Sequence, residues 1–104
     1  MYMVNLPLTT LSQIQTCATT GKVSFTYKAL RELALLELGL DEADVCDILK
    51  SLKASDFIER KRSKLSEEWL YIFKFYVDRT LVYLKLILRE DCIIISFHED
   101  HPHD

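Results

Sequence analysis

Apolar positions along this chain change their spacing once. Up to Leu52 they recur every three or four residues, the period of a helix face; from Phe57 they alternate with polar ones, the period of a strand. "TTLSQIQTCATTG" predicts a first helix, with Thr9 or Thr10 as its cap, Leu11, Ile14 and Ala18 as its apolar stripe, and Gly21 as its stop. "TYKALRELALLELG" predicts a second, capped by Thr26 and ended by Gly39, with Leu30, Leu33, Ala34 and Leu38 at helical spacing. "DEADVCDILKSL" predicts a third. There Asp41 caps, Glu42 and Asp44 suit the positive helix start, and Val45, Ile48, Leu49 and Leu52 form the stripe.

The alternating half holds "FIERKRS", a short charged edge strand, followed by "WLYIFKFYV", "LVYLKLILR" and "CIIISFH". Asp78-Arg79-Thr80 and Glu90-Asp91 separate these last three and are short enough for hairpin turns. Helices first and strands second predict an α+β fold, with the helices on one face of an antiparallel sheet. Alternation also predicts the register. With Asp78-Arg79 as a turn, Lys74 opposes Tyr83 and Ile72 opposes Lys85. With Glu90-Asp91 as the next, Arg89 opposes Cys92, Leu86 opposes Ile95, Lys85 opposes Ser96, Leu84 opposes Phe97 and Tyr83 opposes His98. Trp69, Tyr71, Phe73, Phe75, Val82, Leu84 and Leu86 then face the helices. Lys74, Tyr83, Lys85, Ser96 and His98 share the other face, close enough across strands to touch.

The length of 104 residues suits one domain: a helical part at about 9–54, a sheet at about 57–98 and an acidic, His-containing tail at 99–104. The net charge of −3 argues against a protein that grips long duplex DNA, so any nucleic-acid contact is local. Cys17, Cys46 and Cys92 form no CxxC pair and read as small core residues in a reducing compartment. "MYMVNLPL" lacks the basic flank of a signal peptide, and no apolar run has the length of a membrane span. The expectation is a soluble, cytoplasmic chain without membrane contact.

Two ammonium groups, a phenol, a hydroxyl and an imidazole on one patch suit a phosphate. Lysines neutralise phosphoryl oxygens, histidine moves protons near neutral pH, and tyrosine donates to an oxygen or stacks on a base. An ordinary wet sheet face carries the same residue types. The run Arg60-Lys61-Arg62-Ser63-Lys64 reads either as a guide for an RNA backbone or as charge protecting an edge strand. His98-x-x-His101-x-His103 with Glu99 and Asp100 has metal-ligand character. It is terminal, contains Pro102 and has no second cluster, so a solvated tail is expected, with no metal and no cofactor. A Gly-rich phosphate loop and a nucleophile elbow are both missing.

Taken in order, "LSQIQ…TGKV", a following "T..AL", "LGLDEADVCDILKSL", "SDF", "EEW", "VYLKL" and "ISFHED" resemble the MqsR family of bacterial toxin–antitoxin toxins, from about Leu11 to Asp100. The resemblance implies a RelE-like fold, metal-independent cleavage of mRNA and neutralisation by an antitoxin encoded beside the toxin. It implies catalytic roles for Tyr83 and Lys85 in "VYLK" and for His98, where the best-known branch has lysine after "SF". Lys74, Arg60, Arg62 and Ser96 complete the expected RNA contacts. Two positions depart from that branch: Glu59 replaces a lysine and Leu70 a glutamine.

A reading from another class is a non-catalytic module, either regulatory or a degenerate toxin that only binds its antitoxin. "ALRELALLELGLDEADVCDIL" has helix-turn-helix spacing, but its second helix is acidic and DNA would repel it, so no direct DNA binding is expected.

Overall fold

The computed structural model describes residues 6–101. His103, the last residue of the candidate metal spacing, lies outside the described residues, as do Pro102 and most of the N-terminal segment weighed as a signal peptide. The elements in chain order are α1 (Leu8–Thr19), β1 (Val23–Phe25), α2 (Tyr27–Leu35), α3 (Glu42–Lys50), a 3-10 turn (Ala54–Asp56), β2 (Phe57–Arg62), β3 (Trp69–Val77), β4 (Thr80–Leu88) and β5 (Cys92–Glu99). The fold is α+β, with three helices packed on a five-stranded, mostly antiparallel sheet of order β1-β5-β4-β3-β2. No helix among the described residues is long and apolar enough to cross a membrane.

The caps explain where two helices begin. Thr26 accepts from the Ala29 amide, and Asp41 and Asp44 exchange side-chain-to-backbone bonds in a capping box. The first helix differs from expectation. It starts at Leu8 behind Pro7, which fixes the backbone without a side-chain cap, and Thr10 is buried inside it. The second ends at Leu35, well before Gly39, and its buried residues are Ala29 and Leu33. Glu37 and Gly39 both take positive φ there, which closes the helix early.

One core gathers Ile14 and Ala18 from α1, Ala29 and Leu33 from α2, Val45 and Leu49 from α3, and Phe73, Val82, Leu84, Leu86, Ile94 and Phe97 from the sheet. Strand β1 has no counterpart in the sequence reading. Its three residues are too few to show a period, and they pair in parallel with the start of β5.

The β3–β4 register is the expected one. Val77 pairs with Thr80 around Asp78-Arg79, with Asp78 at φ 55°. Between β4 and β5 the expectation holds far from the turn and fails near it. Tyr83–His98, Leu84–Phe97 and Lys85–Ser96 pair as predicted, but Leu86 opposes Ile94 and Leu88 opposes Cys92. The connection is the three residues Arg89-Glu90-Asp91, which turns the first part of β5 over. A bulge at Ile95 turns it back. Cys92 and Ile94 therefore face the core, and beyond the bulge Phe97 does, while Ser96 and His98 reach the other side. Strict alternation from Cys92 would aim both at the helices.

Candidate active site on the uncovered face of the sheet

On the face away from the helices the side chains fall into rows. One row crosses four strands as Glu59, Ile72, Lys85 and Ser96; the next is Lys74, Tyr83 and His98. The structure thus brings together all five residues that the register reading had placed on one face. The Tyr83 and His98 rings stack, with centroids 4.9 Å apart and planes 12° from parallel. The Nδ1 of His98 lies 2.8 Å from the Glu99 carbonyl oxygen. A carbonyl only accepts, so Nδ1 carries the hydrogen and Nε2 is left to work.

Burial, then the carboxylates of Glu59 and Asp100, push the Tyr83 phenol above its ordinary value of 10.0. Tyr83 is therefore a hydrogen-bond donor rather than a base. Lys85 is moved the other way. Burial lowers it first, and the positive charges of Lys28 and Lys61 add to this. Its ammonium is a stronger acid than an exposed lysine and gains more from a nearby anion. Lys74 is already engaged: its Nζ lies 3.2 Å from an Asp100 carboxylate oxygen, and the Asp100 amide donates to the Leu81 carbonyl.

Helix α2 runs along the edge of β5 that the short β1 leaves unpaired. The Thr26 amide donates to the Ile94 carbonyl, and Glu32 Oε1 accepts from the Phe97 amide at 3.0 Å. Lys28 Nζ then donates to Ser96 Oγ at 2.8 Å and pairs with Glu32 Oε2 at 3.0 Å. This covers the Ser96 side chain almost completely. Reasoning from sequence missed Lys28 and Glu32, took Asp100 for solvated tail, and named Lys61 only as part of the basic run while choosing Arg60 and Arg62 from it. The Thr26 cap fixes the phase that makes Lys28 and Glu32 neighbours one turn apart, but nothing in the sequence says which sheet edge α2 follows.

Arg60 and Arg62 do not join the patch. They pair with Tyr71 and Trp69 on the helix side of the sheet, and both guanidinium carbons stand over the Trp69 ring, at 4.1 and 4.2 Å. Lys61, between them, pairs with Leu70 on the uncovered side. Beside His98 lies a depression of about 260 Å³ lined by Glu32, Leu35, Leu36, His98, Glu99 and His101. A roomier one, about 480 Å³, lies between α3 and the end of β3. Among the described residues no group of three or more His, Cys, Asp or Glu side chains is placed to hold a metal ion.

The sequence profile of the family described as "Motility quorum-sensing regulator, toxin of MqsA" matches residues 6–99. This chain belongs to the MqsR toxin family. It is 33% identical to the mRNA interferase toxin MqsR of Escherichia coli (strain K12) over 94 residues, which is 89% of this chain and 94% of that one. Glu59 and Leu70, the two positions expected to differ from the best-known branch, both lie on the uncovered face: Glu59 stands in the Lys85 row and Leu70 opposite Lys61.

Proposed function

We propose that this chain is the toxin of a type II toxin–antitoxin system and a metal-independent endoribonuclease acting on mRNA in the cytoplasm. Its partners are mRNA and a cognate antitoxin encoded by an adjacent gene. The observation that carries this reading is the Tyr83–His98 stack, one row from Lys85, on the sheet face opposite the main core. Membership of the MqsR family supports it.

The reaction follows from the groups present. His98 Nε2 takes the proton of the substrate's 2′-hydroxyl, and the freed oxygen bonds to the adjacent phosphorus. The P–O5′ bond breaks, and the Lys85 ammonium supplies the proton that the leaving oxygen needs. Tyr83 donates a hydrogen bond to a non-bridging phosphoryl oxygen, and Lys74 offsets the charge that builds there. The products are a 2′,3′-cyclic phosphate and a 5′-hydroxyl. No step needs a metal.

A second reading has a specific observation in its favour. Glu59 places a carboxylate in the Lys85 row, where it would repel a polyanion, and this fits a degenerate toxin that only binds its antitoxin. Expression and a cleavage assay separate the two. Growth arrest rescued by the neighbouring gene's product, with chelator-resistant cleavage leaving cyclic phosphate ends, is the expected result. No arrest and no cleavage would leave the binding module.

A further inference from the structure

We propose that Lys28 is a phosphate-binding residue of the RNA site, reaching the sheet face from α2. The inference rests on the RNA-cutting reading above and deepens it.

Three observations meet at this side chain. First, its ammonium lies over the catalytic row: Nζ is 2.8 Å from Ser96 Oγ, and Ser96 is the cross-strand partner of Lys85. Second, it is held there from behind. Glu32 Oε2 is 3.0 Å from Nζ, and Glu32 is itself anchored through Oε1 on the Phe97 amide. An ammonium has three hydrogens. One goes to Ser96 and one to Glu32, and the third is left for a ligand. The side chain keeps 60% of its exposure, so that hydrogen is reachable from solvent. Third, Lys28 and Lys61 come from separate elements and both add to the lowering of Lys85 that burial begins, while Glu32 opposes them. Each is paired with a carboxylate, Lys28 with Glu32 at 3.0 Å and Lys61 with Glu59 at 4.0 Å, so their repulsion is offset only in part, and a bound phosphodiester offsets more of it.

Glu32 acts here as a positioning residue. Its carboxylate orients the Lys28 ammonium and is kept off the ligand by its own two bonds.

The test uses the full chain and a single-stranded 2′-O-methyl RNA of mixed sequence, which binds but lacks the nucleophile. Affinity is measured against salt concentration. Lys28→Gln is expected to reduce the slope of log affinity against log salt by about 0.7, one phosphate contact on a single strand, and Lys28→Arg to restore it. A purely structural role would lower the melting temperature and leave the slope unchanged, and that outcome overturns the proposal. In the unmutated protein the Lys28 side-chain NMR signals are expected to shift on adding the same RNA; unshifted signals overturn it even if Lys28→Gln does not fold. Unmutated protein is assayed alongside for cleavage of unmodified RNA of the same sequence. Cleavage together with an unchanged Lys28→Gln slope overturns this inference alone, whereas no RNA binding and no cleavage by the unmutated protein overturn the functional reading and this inference with it.

Discussion

Strands β4 and β5 present two faces built from alternate residues of the same chain. Toward the helices, Val82, Leu84, Leu86 and Phe97 are fully buried. One residue along, Tyr83, Lys85 and His98 look away from the helices and keep part of their exposure. The apolar face sets the register, because a slip of one residue would exchange the two sets. The other face is released from that duty and holds groups that repel one another or pair only partly. Even so it has an apolar floor, since Ile72 and Ile87 are nearly buried there outside the main core.

The largest expected effect breaks the covered face. Phe97→Ala removes a fully buried ring between Ser96 and His98 and is expected to cost about 3–5 kcal/mol in a urea unfolding curve. Tyr83→Phe sharpens the contrast from the other side. It keeps the ring against His98 and loses only the hydroxyl, so the unfolding midpoint should barely move while kcat falls on the order of 10²-fold. Asp100→Asn is subtler. It frees Lys74 and removes a carboxylate near Tyr83, so RNA binding should tighten by up to about fivefold, the worth of a partly exposed ion pair of about 1 kcal/mol or less.

The smallest effect belongs to neither face. Arg89 donates to both Glu68 oxygens, at 2.8 and 2.7 Å, and holds that carboxyl down to about 2 from 4.5. A depressed carboxylate adds stability above its ordinary value and loses it as pH falls toward the folded one. Stability curves of the unmutated protein and Glu68→Gln should therefore differ above about pH 4.5 and converge near about pH 2, as read from thermal midpoints.

Much of the uncovered face was legible because Tyr83 and Lys85 alternate with Val82, Leu84 and Leu86 and the Asp78-Arg79 turn has the expected length. The end of β5 was legible for the same reason, yet its start was not. "CIIIS" offers three isoleucines in a row, so the pattern cannot say which residue is the extra one. The bulge at Ile95 and the three-residue connection compensate, which is why the Tyr83–His98 pairing came out right although Leu86–Ile95 did not. Arg60 and Arg62 were assigned by charge density alone. Their face depends on the irregular pairing at Phe57 and Glu59, a feature no sequence period records. Lys28 and Glu32 were invisible for a third reason: α2 reaches the patch only by lying along an edge that a three-residue strand leaves open.

The central claim is that the uncovered face does the chemistry and the Arg-flanked Trp69 face does not. Single-turnover RNA cleavage by His98→Ala beside Arg62→Ala tests it most directly. A loss of about 10²–10⁴-fold is predicted for His98→Ala, against at most about fivefold for Arg62→Ala, the scale of an exposed charge. Equal losses in the two variants, or an unchanged rate in His98→Ala, would contradict it.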